Sequence, residues 1–280
     1  MSSQTLIIAG MHRSGTSLVT NWLHRCGLEV GESLLEEGIG NPEGHFEDTE
    51  FLKMHEEILK DNGLPADGLV AGKEIRISDY EYEKLRAIIK VKNDKFDQWG
   101  WKEPRTCLFL HMYRELLPDA KYLVIARDYP SVTNSLLKRD FAYDDEGYKK
   151  RSFVSRLKWS LYKKNRRKNE IYHNKAEEYL RVWIDYNEHI LSFLERTPAE
   201  QYLVINYSLL GENDCSIFAF LSNKWHFKLK YYAFKKVFKQ NLISTPPDLS
   251  PYIKDAALVS RATSIEEQFN KYMLKLAPAK

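Results

Sequence analysis

Apolar residues along the chain fall into short unbroken runs and into longer stretches where they recur every three or four positions. The runs are Thr5–Ala9, Trp99–Lys102, Lys121–Ala126 and Tyr202–Asn206. Apolar runs this short, bounded by turn residues, predict buried strands. The periodic stretches predict helices at Gly15–Cys26, Thr49–Lys60, Asp79–Lys92 and Arg105–Leu117, with a further one from about Pro130. In the second of these, Phe51, Met54, Ile58 and Leu59 share the inward face. Gly27 sits where a helix C-cap glycine belongs, and Pro104 opens the fourth helix at a position that tolerates proline. Residues 28–46 and 61–77 read as loop, residues 148–197 as mostly helical, and the C-terminal third as helical but weakly punctuated. Strands alternating with helices predict an α/β fold whose parallel strands are joined by right-handed crossovers. Four to five strands form the central layer of three, flanked by helices, with a helical C-terminal part.

Composition narrows the class further. At 280 residues the chain has ample material for a core. It is 43% hydrophobic and 29% charged, and its net charge of +3 is too small to imply nucleic-acid binding. Three cysteines, Cys26, Cys107 and Cys215, stand far apart and are odd in number, which argues against a disulfide framework and for a reducing compartment. No Cys/His cluster has zinc spacing, so no metal site is expected. A core strand begins within a few residues of Met1, leaving no room for a signal peptide, and no apolar run approaches the ~20 residues that span a bilayer. These features predict a cytoplasmic protein. No internal repeat or linker interrupts the sequence, so a single domain over 1–280 is the simplest organisation.

The first predicted strand runs into Gly10-Met-His-Arg-Ser-Gly-Thr-Ser17. The spacing matches a phosphate-binding loop, G-x-x-x-x-G-K-[ST], except that Thr16 occupies the lysine position. Gly10 and Gly15 let the backbone turn sharply beside an anion, and the helix that follows aims its free N–H groups at the same point. What is missing is the ammonium that reaches the outer phosphates of a nucleoside triphosphate; Arg13 supplies a cation from inside the loop instead. The strand Lys121–Ala126 ends in Arg127, which suits a further anion better than a metal ion.

Residues 127–136, Arg-Asp-Tyr-Pro-Ser-Val-Thr-Asn-Ser-Leu, complete a pattern. Together with the loop, the chain resembles the sulfotransferase family, whose donor is 3′-phosphoadenosine 5′-phosphosulfate. Two further segments share the resemblance: Trp99-Gly-Trp-Lys-Glu-Pro-Arg105, similar to the lysine-bearing strand end beside the sulfuryl group, and Asn41-Pro-Glu-Gly-His-Phe-Glu47, similar to a turn of bacterial members. The resemblance covers 5–138 well and 180–210 loosely. It implies a P-loop-like fold with a donor-binding core at 1–138 and a mostly helical 139–280 that completes the sheet and the acceptor cleft. It also implies that the loop (His12, Arg13, Ser14, Gly15, Thr16, Ser17) holds the 5′-phosphosulfate, with Arg127 and Ser135 on the 3′-phosphate. Three departures stand out: arginine for the loop lysine, Lys102-Glu-Pro-Arg105 in place of the Lys-Thr-His element, and no Arg-Lys-Gly segment near the C-terminus.

Sulfuryl transfer needs positioning, fixed positive charge and a base for the acceptor proton, and its leaving group is good enough to need no metal. Within the resemblance, the amides of Ser14–Ser17 and the hydroxyls of Thr16 and Ser17 serve the 5′-phosphate. Arg13 comes first for the bridging oxygen, and Lys102 second, on the sulfuryl oxygens. Glu47 is the first choice for the base, with His45 and Glu43 as alternatives; Glu47 and Asp48 also stand where a helix start favours carboxylates. His12 reads as shaping the loop. Arg105 is equally a site residue or a structural partner of Glu103, and Tyr207 is equally an adenine-side tyrosine or a core one. Trp183 reads as core.

Basic residues cluster at Lys158–Lys168 and at Lys224–Lys239, the latter interleaved with Trp225, Phe227, Tyr231, Tyr232, Phe234 and Phe238. Solvated helix faces are the default. A basic amphipathic helix at a lipid interface, or a surface for an anionic glycan or glycolipid acceptor, is the sharper alternative. The expected activity is sulfuryl transfer to a hydroxyl of a carbohydrate, lipid or small metabolite. The competing classes are a P-loop kinase with a degenerate loop and an inactive nucleotide- or glycan-binding module.

Overall fold

The structure, a computed structural model, describes residues 3–36, 38, 44–207, 210–238 and 248–273. Among these, four strands form one parallel sheet: β1 (Gln4–Ala9), β2 (Gln98–Lys102), β3 (Lys121–Ala126) and β4 (Tyr202–Asn206), in the order β2-β1-β3-β4. All four lie where the apolar runs predict them, within a residue. Their unbroken apolar character follows from having both faces covered. Leu6 and Ile8 of β1 pack into one core with Leu123, Ile125, Leu203 and Ile205; Ile7 and Ala9 pack into a second, with Trp101, Tyr122 and Val124. The first core is closed by α1 (Thr16–Arg25), α8 (Leu210–Ala219) and residues 225–237. The second is closed by α2 (Thr49–Asp61), α3 (Asp79–Lys95), α4 (Leu110–Leu116), α5 (Tyr129–Lys149), α7 (Lys164–Glu195) and α9 (Ala256–Tyr272). The chain therefore has the three layers its pattern predicts.

Four helix starts among the described residues, those of α2, α3, α5 and α9, are capped by a side chain. Asp48 accepts from the Glu50 amide at 2.9 Å at the head of α2, and Asp128 from the Ser131 amide at 2.8 Å at the head of α5. Ser78 and Glu81 form a reciprocal capping box on α3. The head of α1 differs: its N-cap is Gly15, left-handed at φ 89°, with no side-chain cap and no acidic residue in the first turn.

Two expectations need correction. The helix expected over Arg105–Leu117 is two pieces, a 3-10 turn at Pro104–Leu108 and then α4. Phe109 breaks it, because its ring stacks on His55 at 4.8 Å, a tertiary contact that outweighs local helix continuity. The basic, aromatic segment from Lys224 is not an amphipathic helix. Beyond a π turn at Phe220–Lys224 the chain is non-helical up to a 3-10 turn at Phe234–Lys236, with Trp225 and Phe227 buried and His226 and Lys228 exposed. Its aromatics Trp225, Phe227 and Phe234 are spent in the core, which leaves no apolar helical face for a membrane.

Phe51 anchors the lower side of β2: it is fully buried and stacks on Trp101 at 4.1 Å and 6°. Replacing it with alanine removes that contact and leaves a cavity, so Phe51→Ala is expected to cost roughly 3–5 kcal/mol. Urea unfolding of wild type and variant measures this; a loss under about 1 kcal/mol would mean that the stack does not hold β2.

Candidate active site

Each strand delivers one candidate group at its C-terminal edge. β1 runs into the loop 10–15, β2 ends in Lys102, β3 is followed by Arg127 and β4 by Tyr207. The loop follows the strand between the two directions of sheet growth, where open parallel sheets place their ligand crevice.

Close contacts shape the loop. A Cβ on Gly10 would lie 2.7 Å from Thr16 Cγ2 and 2.9 Å from Ile125 O, so only glycine lets β1 hand over to α1 this close to β3. A Cβ on Gly15 would meet the Tyr207 ring at 2.2 Å. Tyr207 therefore covers the loop, and Arg127 Cζ lies 4.7 Å from its ring centre. Arg13 takes a left-handed backbone, φ 67°. Ser14 is buried and its amide donates to Met11 O at 3.1 Å. Thr16, at the position lysine holds in triphosphate loops, is buried as well.

Two groupings converge on this loop. In the first, Arg13 Nε donates to Ser135 Oγ at 2.9 Å, and Arg127 Nη1 donates to Arg13 O at 2.8 Å. Trp183, otherwise a core residue, holds the same strand end by donating Nε1–H to Arg127 O at 3.2 Å. Burial, with Arg139 and Arg127 nearby, lowers Arg13 to about 10. Two further guanidiniums close enough to depress Arg13 make this a standing attraction for an anion. Arg139 is a member that sequence reasoning missed. It lies one helical turn after Ser135 on α5, and its Nε is buried with no partner among the described residues. The i, i+4 spacing from Ser135 was the available signal.

In the second grouping, Lys102 Nζ donates to Glu47 Oε1 at 2.7 Å and to Ser17 Oγ at 3.2 Å. Lys102 is 1% exposed, and burial lowers its pKa while Glu47 opposes the shift. His45 Nδ1 stands 3.9 Å from Glu47 Oε1. Burial lowers His45, Glu47 pulls the other way, and Lys102 and Arg13 lower it further. The two carboxylates at the head of α2 have separate tasks: Asp48 caps the helix and binds Lys92 at 2.8 Å, whereas Glu47 faces Lys102. Asn41, Pro42 and Glu43, the remaining candidate base among them, lie outside the described residues.

Behind Lys102 is a buried brace. Glu103, fully enclosed, is met by Arg105 Nη1 and, at 2.5 Å, by His55 Nδ1. As the carboxylate only accepts, His55 donates Nδ1–H to it, and His55 Nε2 lies 2.7 Å from the Tyr113 hydroxyl. Burial pushes Glu103 up, but Arg105 and His55 outweigh it and hold it at about 2. Arg105 also donates Nε–H to Ala66 O at 2.7 Å. Of its two readings the structural one stands: Arg105 is Glu103's partner. His12 faces this brace rather than the open side of the loop. Its ring meets Tyr186 edge-on at 5.9 Å, and burial, then Arg105, drives its pKa well below the usual imidazole value. His55, Tyr113 and Tyr186 were invisible as site supports in the sequence because they sit among core residues of their helices.

The arrangement can bind an anion at the helix start, a second anion between Arg127 and Ser135, and a hydroxyl beside Glu47. A sulfotransferase family model matches residues 5–216, a span that contains both groupings. Two solved structures share the fold. A sulfotransferase from Mycobacterium avium superposes with TM-score 0.60 at 16% identity, over 99% of this chain and 79% of that one. A sulfotransferase from Alicyclobacillus acidocaldarius gives 0.51 at 14% identity, over 95% and 97%. No curated protein matches the chain by sequence. With the family model spanning the loop, the lysine- and arginine-bearing strand ends and β4, the chain belongs to the sulfotransferase family.

Proposed function

We propose that the chain moves a sulfuryl group from 3′-phosphoadenosine 5′-phosphosulfate to a hydroxyl of a carbohydrate, lipid or small-metabolite acceptor, and that it does so in the cytoplasm. The observation that carries this reading is the joining of Arg13, Ser135 and Arg127 beside an uncapped helix start, with no lysine in the loop. The residues fit a donor that is anionic at both ends. The loop is too tight at Gly10 and Gly15 for any Cβ, and Arg139 Nε is a buried polar atom with no partner among the described residues. An anionic glycan or glycolipid is one acceptor class that the basic surface suits.

The donor brings an activated sulfuryl group on a leaving phosphate that needs no metal. The amides of Gly15–Ser17 and the hydroxyls of Thr16 and Ser17 hold the 5′-phosphate, the Ser14 amide being taken up by Met11 O. Arg127 and Ser135 hold the 3′-phosphate, and Tyr207, against Arg127, lies on the adenine side. Arg13 donates to Ser135, which favours assigning it to the 3′-phosphate as well. Lys102, within reach of Ser17, then supplies the charge at the bridging and sulfuryl oxygens. Glu47, touching Lys102, takes the acceptor proton; His45 is the alternative.

The test is transfer of ³⁵S from labelled donor to a panel of hydroxyl acceptors, with and without chelator. Transfer that survives chelation is expected; labelled donor left intact with every acceptor, while ATP with magnesium is consumed, would overturn the reading. Glu47→Gln is expected to lose about 10²–10⁴-fold in kcat, whereas His45→Gln keeps the acid limb of the pH profile. Loss of that limb in His45→Gln, with Glu47→Gln active, would make His45 the base.

Lys102 generates a second expectation. Its pKa is lowered by burial, so the ammonium is lost earlier as pH rises than on a surface lysine. Turnover should fall on the alkaline side below the ordinary lysine value of about 10.4. The kcat–pH profile of Lys102→Arg, which stays charged, should lack that limb; an unchanged limb would remove Lys102 from the chemistry.

A further inference from the structure

We propose that the helix Phe153–Lys163, formed by α6 (Phe153–Lys158) and the π turn Trp159–Lys163 that continues it, docks on an anionic lipid surface. Its polarity is inverted. A surface helix of a globular protein turns its apolar stripe inward, yet α6 has no buried residue. Phe153, Val154, Leu157 and Leu161 follow helical spacing on one face, and that face is in solvent: Phe153 is 70% exposed and Leu161 62%. Tyr162, 77% exposed, extends it.

The opposite face is fastened to the body by one residue. The Trp159 ring stacks on Tyr148 at 3.8 Å and 10°, and its Nε1–H donates to Asp145 Oδ1 at 2.8 Å. The helix is thus held in place while its apolar side stays uncovered. Tyr148 lies near the end of α5, the helix that carries Ser135 in its first half and Arg139 at its middle, so one element links this surface to the donor loop.

Charge identifies the occupant. Every charged residue from Lys149 to Asn169 is basic. Lys164 and Arg167 are neutralised by Asp145 and Asp144. Among the described residues Arg156, Lys158 and Lys163 have no ion pair, and by helical spacing Arg156 and Lys158 flank the apolar stripe, one on each edge. Apolar residues between two cationic edges match the layering of an anionic membrane, acyl boundary below and headgroups beside it. A second copy seated on this face would set the same cations against one another. The segment at 225–234 lacks this character, since Trp225, Phe227 and Phe234 are buried and it forms no apolar helical face.

The proposal concerns binding and needs no turnover, so it stands or falls apart from the sulfuryl reading. The experiment is sedimentation of the full chain with vesicles of phosphatidylcholine alone and of equimolar phosphatidylcholine and phosphatidylglycerol, at low and physiological salt. Binding to the anionic vesicles that weakens with salt is expected. The pair Leu157→Ser/Leu161→Ser and the pair Arg156→Glu/Lys158→Glu should each weaken it by about tenfold or more. The control pair Lys228→Glu/Lys230→Glu should leave it unchanged. All these side chains are exposed, and unfolding midpoints verify that the variants stay folded. Three results would overturn the proposal: no sedimentation with either vesicle, equal binding by the Leu157/Leu161 pair, or a vesicle-free dimer that this pair abolishes.

Discussion

A lysine ammonium buried to 1% exposure at the end of β2 must be met by negative charge, because an unpaired buried charge costs several kcal/mol or more. Glu47 meets it at 2.7 Å, and much of the site follows from that pairing. The pairing sets Glu47 toward the sheet, so its neighbour Asp48 points the other way, where it caps α2 and binds Lys92. From the other side Lys102 reaches Ser17 at the head of α1. One desolvated cation thus ties together a sheet edge, a turn and the loop. The brace of Glu103, His55, Tyr113 and Arg105 stiffens the chain one residue further on.

Parallel strands supply the rest. Because β1 to β4 run the same way, their C-terminal ends lie along one edge, and each contributes a group there: the loop, Lys102, Arg127 and Tyr207. Positive charge is in excess at this edge. Arg13 meets Ser135, Arg127 reaches the Arg13 carbonyl, and burial with Arg139 and Arg127 nearby lowers the Arg13 pKa, while Arg139 also meets Asp140 at 3.4 Å. The helix start adds its own positive end, uncapped. A site so arranged favours a ligand that carries two separated anions.

Local pattern made the fold legible where burial on both faces leaves unbroken apolar runs. Lys121–Ala126 and Tyr202–Asn206 are strands with the bounds their residues suggest. The loop was legible because glycine spacing constrains the backbone directly, and Arg127 and Ser135 because they accompany it in a known order. What tertiary contacts decide was not legible. The break at Phe109 comes from stacking on His55, far away in sequence. The aromatics near Trp225 suggested a membrane-facing helix, but a sheet face claims them. Arg139 and Glu103's partners stayed hidden because helical spacing gives a face without saying what that face meets.

The central claim is that the lysine-less loop, Arg127 and Ser135 form one site for a bisphosphorylated adenosine. Calorimetric titration of the wild type and Arg127→Ala with 3′-phosphoadenosine 5′-phosphate, without metal, beside ATP with magnesium, tests it most directly. The account predicts tight binding of the bisphosphate to wild type, a large loss in Arg127→Ala, and no comparable binding of ATP. Binding of ATP alone, or bisphosphate binding indifferent to Arg127, would contradict it.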